Sequence, residues 1–383
     1  MSRNNEVTDP QFALFANPLN AEATVNLVVG ELNGTAEPDL TILERVAEQF
    51  IAFAPADARA YSILGAVQDR LGNRVKAAAL YETALERSKS ELHALLRLAQ
   101  TRLDNADTAG ALEYLDLLLR RWPAYWENVT PILKAAASDP EAAFILESKL
   151  NEMPPWRTRA VALLAQDRAS LGMLRRLIVA SPLEVKATPT WLSERDTVVA
   201  ALVGIQAYSE AYSLFISTLT EQEARVSAYV FDGGFELPLS RSYFGWRVQK
   251  PGATEVKTGT LGDDGETGLR VRFLDSPARP AIVSQNVVLP FGRYKLAVDV
   301  SASSLNAPKS LYWSFRCAQG PALATLDVPG GSYSRRSIEV DIDVPASDCQ
   351  RQVLSLDTGV RTESWRDRYQ GEVRFSALAI TRP

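Results

Sequence analysis

The sequence has few of the residues that most enzymes use for nucleophilic or metal chemistry. It holds two cysteines and one histidine in 383 residues. No G-x-S-x-G turn, Cys–His pair or metal-spaced His/Cys cluster occurs. With its one histidine at His93, in the first half, the chain cannot build a Ser–His–Asp triad in the second. Continuous apolar runs of ~18 residues, the length that crosses a bilayer, are missing as well, so no membrane span is expected. Basic runs are absent and the formal charge is −5, which argues against a nucleic-acid partner bound through its phosphates. The first residues, MSRNNEVTDPQFALFANPLN, lack the basic-then-apolar layout of a signal peptide. The chain is therefore either cytoplasmic, or it follows a removed export or anchor segment.

Both cysteines, Cys317 and Cys349, fall in the second half. They suit a disulfide closing a loop of roughly 30 residues, worth ~3–4 kcal/mol in the chain-entropy model. The other reading is a pair of reduced, buried thiols. The overall balance, 46% hydrophobic and 23% charged, is that of an ordinary globular protein, and the length fits two domains.

The first half repeats. With AYSILGAVQDRLGNRVKAAALYETALERS laid over ALLRLAQTRLDNADTAGALEYLDLLLRRWP, Tyr61 falls on Leu95, Leu64 on Leu98, Gly65 on Ala99, Ala77 on Ala111 and Tyr81 on Leu115. The offset is ~34 residues, a helical-hairpin period in which small residues allow close approach and large ones fill between hairpins. Over residues 57–123 the stretch resembles the tetratricopeptide repeat family. A degenerate earlier unit is predicted from about Ala21 to Pro55, and helical apolar spacing continues to about Arg225. In that family the first helix of each pair lines a groove for a protein partner. The resemblance implies groove positions at Arg59, Ser62, Ala66 and Asp69, then His93, Leu96, Gln100 and Leu103. These do not form the Lys/Asn/Arg clamp that grips a peptide's terminal carboxylate.

After about Val226 the apolar period changes from 3.6 to 2. Leu269, Val271 and Phe273 alternate with arginines. Tyr294, Leu296, Val298 and Val300 share one side, as do Ile338, Val340, Ile342 and Val344. Turn signals bound these runs at Lys250-Pro251-Gly252, Asp263-Asp264-Gly265, Pro290-Phe291-Gly292 and Pro329-Gly330-Gly331. Many short strands without helical patterning predict an antiparallel two-sheet sandwich. The expected fold class is thus α + β multidomain. A lead-in covers 1–20, a tetratricopeptide-like α-solenoid 21–225, and an antiparallel jelly-roll β-sandwich 226–383.

The stretch VFDGGFELPLSRSYFGW opens the sandwich, and a Gly-x-x-Leu-x-Val strand and a Gly-x-Tyr-x-Leu strand follow at Gly268–Val271 and Gly292–Leu296. This order is similar to the jelly-roll carbohydrate-binding modules with a galactose-binding-like fold. In such modules the Glu after Phe, here Glu236, helps hold a structural calcium with an acid of the final strand. Ser376-Ala377 stands where that acid belongs, and a hard cation wants several oxygen ligands. Glu236 is the one metal-ligating candidate, and no cofactor is expected. LFANPLN, RAYSILG, LLRRWP, PPWR, VFDGGFE, FGW, SFRC and VPASDCQRQVLSL occur in an order resembling a group of bacterial repeat proteins found with exopolysaccharide and envelope systems. That resemblance implies an oxidised Cys317–Cys349 pair and a periplasmic or otherwise extracytoplasmic location.

Sugar binding needs aromatic faces and polar side chains. The loop TESWRDRYQ supplies Trp365, Arg366, Arg368 and Tyr369, with Tyr312, Trp313 and Tyr333 as further candidates, while Trp246 is assigned to the core. Asp263, Asp264, Glu266, Asp341 and Asp343 offer carboxylates for a glycosidase. However, the first two sit in a turn signal, and Asp341 and Asp343 fall on the solvated side of a strand. The expectation is a non-enzymatic envelope or exopolysaccharide-system protein. Its solenoid would hold envelope protein partners and its sandwich polysaccharide. The alternatives are a pure protein–protein adaptor with a structural sandwich, and a carbohydrate-active hydrolase or lyase.

Overall fold

The computed structural model describes residues 5–35, 37–182, 184–239, 242–248, 254–261, 265–278, 281–360 and 366–383. Lys250-Pro251-Gly252, Asp263-Asp264 and Trp365 lie outside them.

Fourteen α-helices come first among the described residues. They are α1 (Pro10–Ala16), α2 (Ala21–Asn33), α3 (Leu40–Phe53), α4 (Ala58–Arg70), α5 (Arg74–Arg87), α6 (Leu92–Asp104) and α7 (Thr108–Arg121). Next follow α8 (Trp126–Ser138), α9 (Pro140–Asn151), α10 (Arg157–Leu164), α11 (Leu171–Ala180), α12 (Pro189–Gly204), α13 (Tyr208–Ser217) and α14 (Glu221–Arg225). Two antiparallel five-stranded sheets follow, as the change of apolar period predicts. The chain divides into two compact units, Met1–Met173 and Leu174–Pro383. Helices α12 to α14 therefore group with the strands, whereas the apolar period changes only near residue 226.

In the first unit, α4 and α6 begin 34 residues apart at Ala58 and Leu92, and so do α5 and α7 at Arg74 and Thr108. Asp57, Asp107 and Asp139 accept from backbone N–H groups at the starts of α4, α7 and α9, a cap worth about 1 kcal/mol each. A Cβ at Gly65 would lie 2.8 Å from the Tyr81 ring, so the missing side chain is what lets Tyr81 fill the hairpin. Val28, Leu43, Phe50, Ile63, Leu64 and Val67 join α2, α3 and α4 in one apolar core.

The second unit carries a hairpin of the same local build. At the α4–α5 and α6–α7 turns, Gly72 and Ala106 take φ of 82° and 58°, and Gln206 at the α12–α13 turn takes 63°. In each case the next N–H reaches five residues back at 2.9 Å: Asn73 to the Gln68 carbonyl, Asp107 to that of Arg102, and Ala207 to that of Leu202.

The strands are β1 (Arg247–Val248), β2 (Thr254–Thr260), β3 (Thr267–Pro277), β4 (Val283–Val287), β5 (Gly292–Asn306), β6 (Leu311–Cys317), β7 (Ala322–Asp327), β8 (Gly331–Val344), β9 (Gln352–Thr358) and β10 (Arg368–Thr381). One sheet runs β1-β4-β9-β6-β7 and the other β2-β3-β10-β5-β8. Alternate residues meet in one core that includes Leu269, Val271, Leu296, Val298, Trp313 and Phe375.

Residues 230–239 and 242–246 fasten this core to α13. Phe215 of α13 meets Phe231 and Phe244 with ring centroids 5.1 and 5.3 Å apart. The Gln285 carboxamide of β4 bonds both the N–H and the carbonyl of Phe231, at 3.2 and 2.7 Å. Phe235 stacks on Trp246 at 4.7 Å, and Trp246 Nε1 donates to the Asp232 carbonyl at 2.8 Å. Gly233 accepts from the Leu378 N–H of β10 at 3.1 Å, and a Cβ there would lie 1.9 Å from the Leu378 carbonyl oxygen. The first glycine of the Gly-Gly-Phe-Glu motif is thus demanded by a close backbone approach.

Candidate functional site

A cavity of about 590 Å³ opens in the first unit between α2, α4 and α6. Arg59, Ser62, Ala66 and Asp69 of α4, and His93 and Leu96 of α6, all line it. They project together because positions three, four and seven apart share a helix face. Gln100 and Leu103 are not among the lining residues: one turn further along α6, the Gln100 carboxamide bends along its own helix to Asp104 at 2.7 Å. Of the expected groove positions, Gln100 and Leu103 thus lie beyond this cavity.

The cavity wall is mainly apolar, from Val25, Val29 and Leu32 of α2 together with Ile63, Ala66 and Leu96. Several of the charges around it are paired, those of Arg59, Asp69 and Arg97. Asp69 Oδ2 accepts from Tyr81 OH at 2.9 Å and from Arg97 Nε and Nη2 at 3.0 and 2.7 Å. Burial and then the Asp69 charge push the Tyr81 phenol well above its ordinary range. Arg59 bonds Glu22 at 2.7 Å and Asp57 at 2.8 Å, pairs that are part-exposed and individually worth little. Ser62 is buried, and its Oγ lies 3.3 Å from His93 Nδ1. Burial in the cavity, and then the Arg97 cation, hold the His93 imidazole below its ordinary value of 6.5, so it is neutral at pH 7. A largely apolar trough with a polar rim has the shape and chemistry that apolar anchors of a peptide or helix require. Sequence reasoning missed the α2 wall, although Val25, Val29 and Leu32 are spaced four and three apart as an amphipathic stripe requires.

In the sandwich, two of the sugar-binding candidates are corrected. Trp313 is fully buried, because β6 alternates and Leu311, Trp313, Phe315 and Cys317 all point into the core. Tyr369 is also fully buried, with its hydroxyl donating to the Ser310 carbonyl at 2.8 Å. Arg366 and Arg368 are exposed, and Arg368 lies 3.3 Å from Asp275. Glu236 is exposed, with its N–H bonded to Asp232 Oδ1 at 2.7 Å. Among the described residues no group of three His, Cys, Asp or Glu side chains converges as a metal site would require. Cys317 and Cys349 are joined in a disulfide.

The same alternation turns Tyr312 outward. In register it lies between Asp357 of β9 and Asp327 of β7. The next row on that outer face is Ser284, Ser355, Ser314 and Thr325, and beyond it come Asn286, Val353 and Arg316. Ser314 and Ser355 are buried at the floor of this strip, and Asp357 is held by the Ala281 N–H and the Ser355 hydroxyl, both at 2.6 Å.

No protein-family model matches the chain, and no curated protein does. Among solved structures, the chain is similar over its sandwich to several carbohydrate-binding modules. A CBM4 structure matches at 11% identity and a TM-score of 0.30, over 40% of this chain and 98% of that one. TmCBM61, solved with β-1,4-galactotriose, matches at 16% identity and 0.29, over 41% and 99%. The CBM22-2 xylan-binding domain of Xyn10C from Paenibacillus barcinonensis matches at 14% identity and 0.26, over 36% and 91%.

Proposed function

We propose that this chain is a non-enzymatic binding protein of a bacterial envelope or exopolysaccharide system. Its tetratricopeptide-like helical unit holds a protein segment, and its sandwich holds polysaccharide. The observation that carries this reading is the meeting of Arg59, Ser62, Asp69 and His93 around one largely apolar cavity of about 590 Å³. A volume of that order lies within the range of specific ligand pockets, roughly 300–1,000 Å³. The polysaccharide half is supported by the outward strip of β4, β9, β6 and β7, where an aromatic ring flanked by carboxylates borders a row of hydroxyls. The Cys317–Cys349 disulfide supports an extracytoplasmic location, since such bonds persist in oxidising compartments.

Affinity capture from an envelope extract, paired with electrophoresis through polysaccharide-loaded gels, tests both halves. Ala66→Arg places a long cation in the middle of the cavity and is expected to reduce partner capture at least about tenfold. The same variant should leave far-UV circular dichroism and gel retardation unchanged. Capture that survives Ala66→Arg would exclude the cavity as the partner site, and wild-type mobility unaffected by any polysaccharide would remove the sandwich from the reading.

A further inference from the structure

At one end of the outward strip, a second cavity of about 360 Å³ forms within the Leu174–Pro383 unit. Its walls carry the carboxamides of Gln206, Gln319 and Gln350, the Asp348 carboxylate, the Tyr208 ring and the Arg351 guanidinium. A carboxamide offers donors and an acceptor on one planar group, which suits adjacent hydroxyls, and a half-buried ring offers a face for stacking. The site is built rigidly. Cys317 and Cys349 join the two loops that bear Gln319 on one side and Asp348 and Gln350 on the other. The Ala318 N–H also donates to the Arg351 carbonyl at 2.9 Å.

Arg351 gives the cavity its sign. Its Cζ lies 5.4 Å from the Tyr208 ring centroid, and Nη1 donates to Tyr243 OH and, at 3.2 Å, to Asn286 Oδ1. Those three contacts are all neutral. Nε is buried without a hydrogen-bond partner, and among the described residues the guanidinium makes no ion pair. An arginine is charged at every working pH, and a part-buried cation whose contacts are all neutral favours an anion beside it. Asp348 faces the same space but is exposed to water, where its repulsion is screened.

We infer that this cavity is a binding site for a saccharide unit bearing a carboxylate, a hexuronate residue of an acidic polysaccharide, with Arg351 on the carboxylate, Tyr208 on the ring face and the glutamines on the hydroxyls. The inference rests on the reading of the sandwich as a polysaccharide-binding part, and adds to it the place and the charge of the ligand.

Calorimetric titration of the whole chain with α-1,4-linked trigalacturonate and with the α-1,4-linked galactose trisaccharide tests it. The wild type is expected to bind the uronate at least about tenfold more tightly than the neutral trimer. Arg351→Gln should bring the two affinities to within about twofold, and Tyr208→Ala should weaken both by about tenfold. The exposed pair Gln206→Ala/Gln350→Ala, which leaves packing intact, should also weaken uronate binding several-fold. Equal wild-type affinity for the two trimers overturns the assignment of charge. Saccharide binding that is untouched by Tyr208→Ala and by the glutamine pair overturns the site while leaving the polysaccharide reading standing. Failure to bind either trimer overturns the site as well, and gel retardation by longer polysaccharides then decides the broader reading separately.

Discussion

Arg195→Ala is expected to destabilise the Leu174–Pro383 unit by about 3–5 kcal/mol, seen as a lower urea midpoint in tryptophan fluorescence. The side chain is 1% exposed, yet every nitrogen is engaged. Nη1 and Nη2 donate to Glu223 at 2.8 and 3.0 Å, Nη1 also to the Thr218 carbonyl at 3.3 Å, and Nε to Asp196 at 3.2 Å. Its guanidinium also faces the rings of Phe215 and Trp191, with Cζ 5.3 and 5.8 Å from their centroids. Removing it strands Glu223, whose other task is to cap α14 by accepting from the Thr220 N–H at 2.8 Å. The double variant Arg195→Ala/Glu223→Leu should therefore cost less than the sum of its single changes, and strict additivity would show that the pair is not a unit.

The same network sets an acid limb. Burial opposes the Glu223 charge, but the Arg195 bonds outweigh it and hold the carboxyl below its ordinary 4.5. A group with a depressed folded pKa contributes stability that is full above its unfolded value and is lost as pH falls through the folded one. The Glu223 contribution should thus persist down to about pH 4.5 and disappear below it. Asp196 runs the other way: burial raises its carboxyl, so protonation relieves a cost and blunts the acid loss.

Trp246→Ala is expected to cost about 3–5 kcal/mol in thermal or urea unfolding. The indole is 4% exposed, stacked on Phe235 and 6.0 Å from Trp313 edge to face. Trp246→Phe retains much of the packing and leaves the Asp232 carbonyl with only the Phe235 N–H at 3.0 Å, a loss of about 0.5–1.5 kcal/mol. A cost below about 1 kcal/mol for the alanine variant would mean that Phe235 and Trp246 lean on the sandwich without bracing it.

Much of the fold was legible in residue periods. Leu269, Val271 and Phe273 announce their strand because one face is buried, and Gly65 and Tyr81 announce their hairpin because one makes room for the other. The hairpin of α12 and α13 was less visible as a unit, since Gln206 occupies the left-handed turn position that Gly72 marks openly in the first. The cavity in the helical unit was half legible. Positions on α4 and α6 follow from the repeat phase, but α2 lies across the cavity by tertiary packing that no local pattern records. Trp313 was misjudged for a definite reason. Tyr312 and Trp313 are neighbours, and only the inward direction of Leu311 and Phe315 decides which of them meets solvent. The cavity around Arg351 left no signal in the sequence, because its walls come from a helical turn and two loops joined through a disulfide.

The order of strands has a consequence for how the sandwich comes into being. The central strand of one sheet is β9 and that of the other is β10, and these are the last two of the ten in sequence. Before either has been synthesised, only the β1–β4, β2–β3, β5–β8 and β6–β7 pairs of the described strands can exist, each with open edges. β10 must then enter between β3 and β5, pairing Phe375 with Leu269 and Val300 across about a hundred and about seventy-five residues of chain. Such distant pairing places folding in the millisecond-to-second regime of β-rich domains. A nascent chain halted before β10 would display β3 and β5 with unpaired edges, the kind of open strand that makes a folding intermediate prone to aggregate.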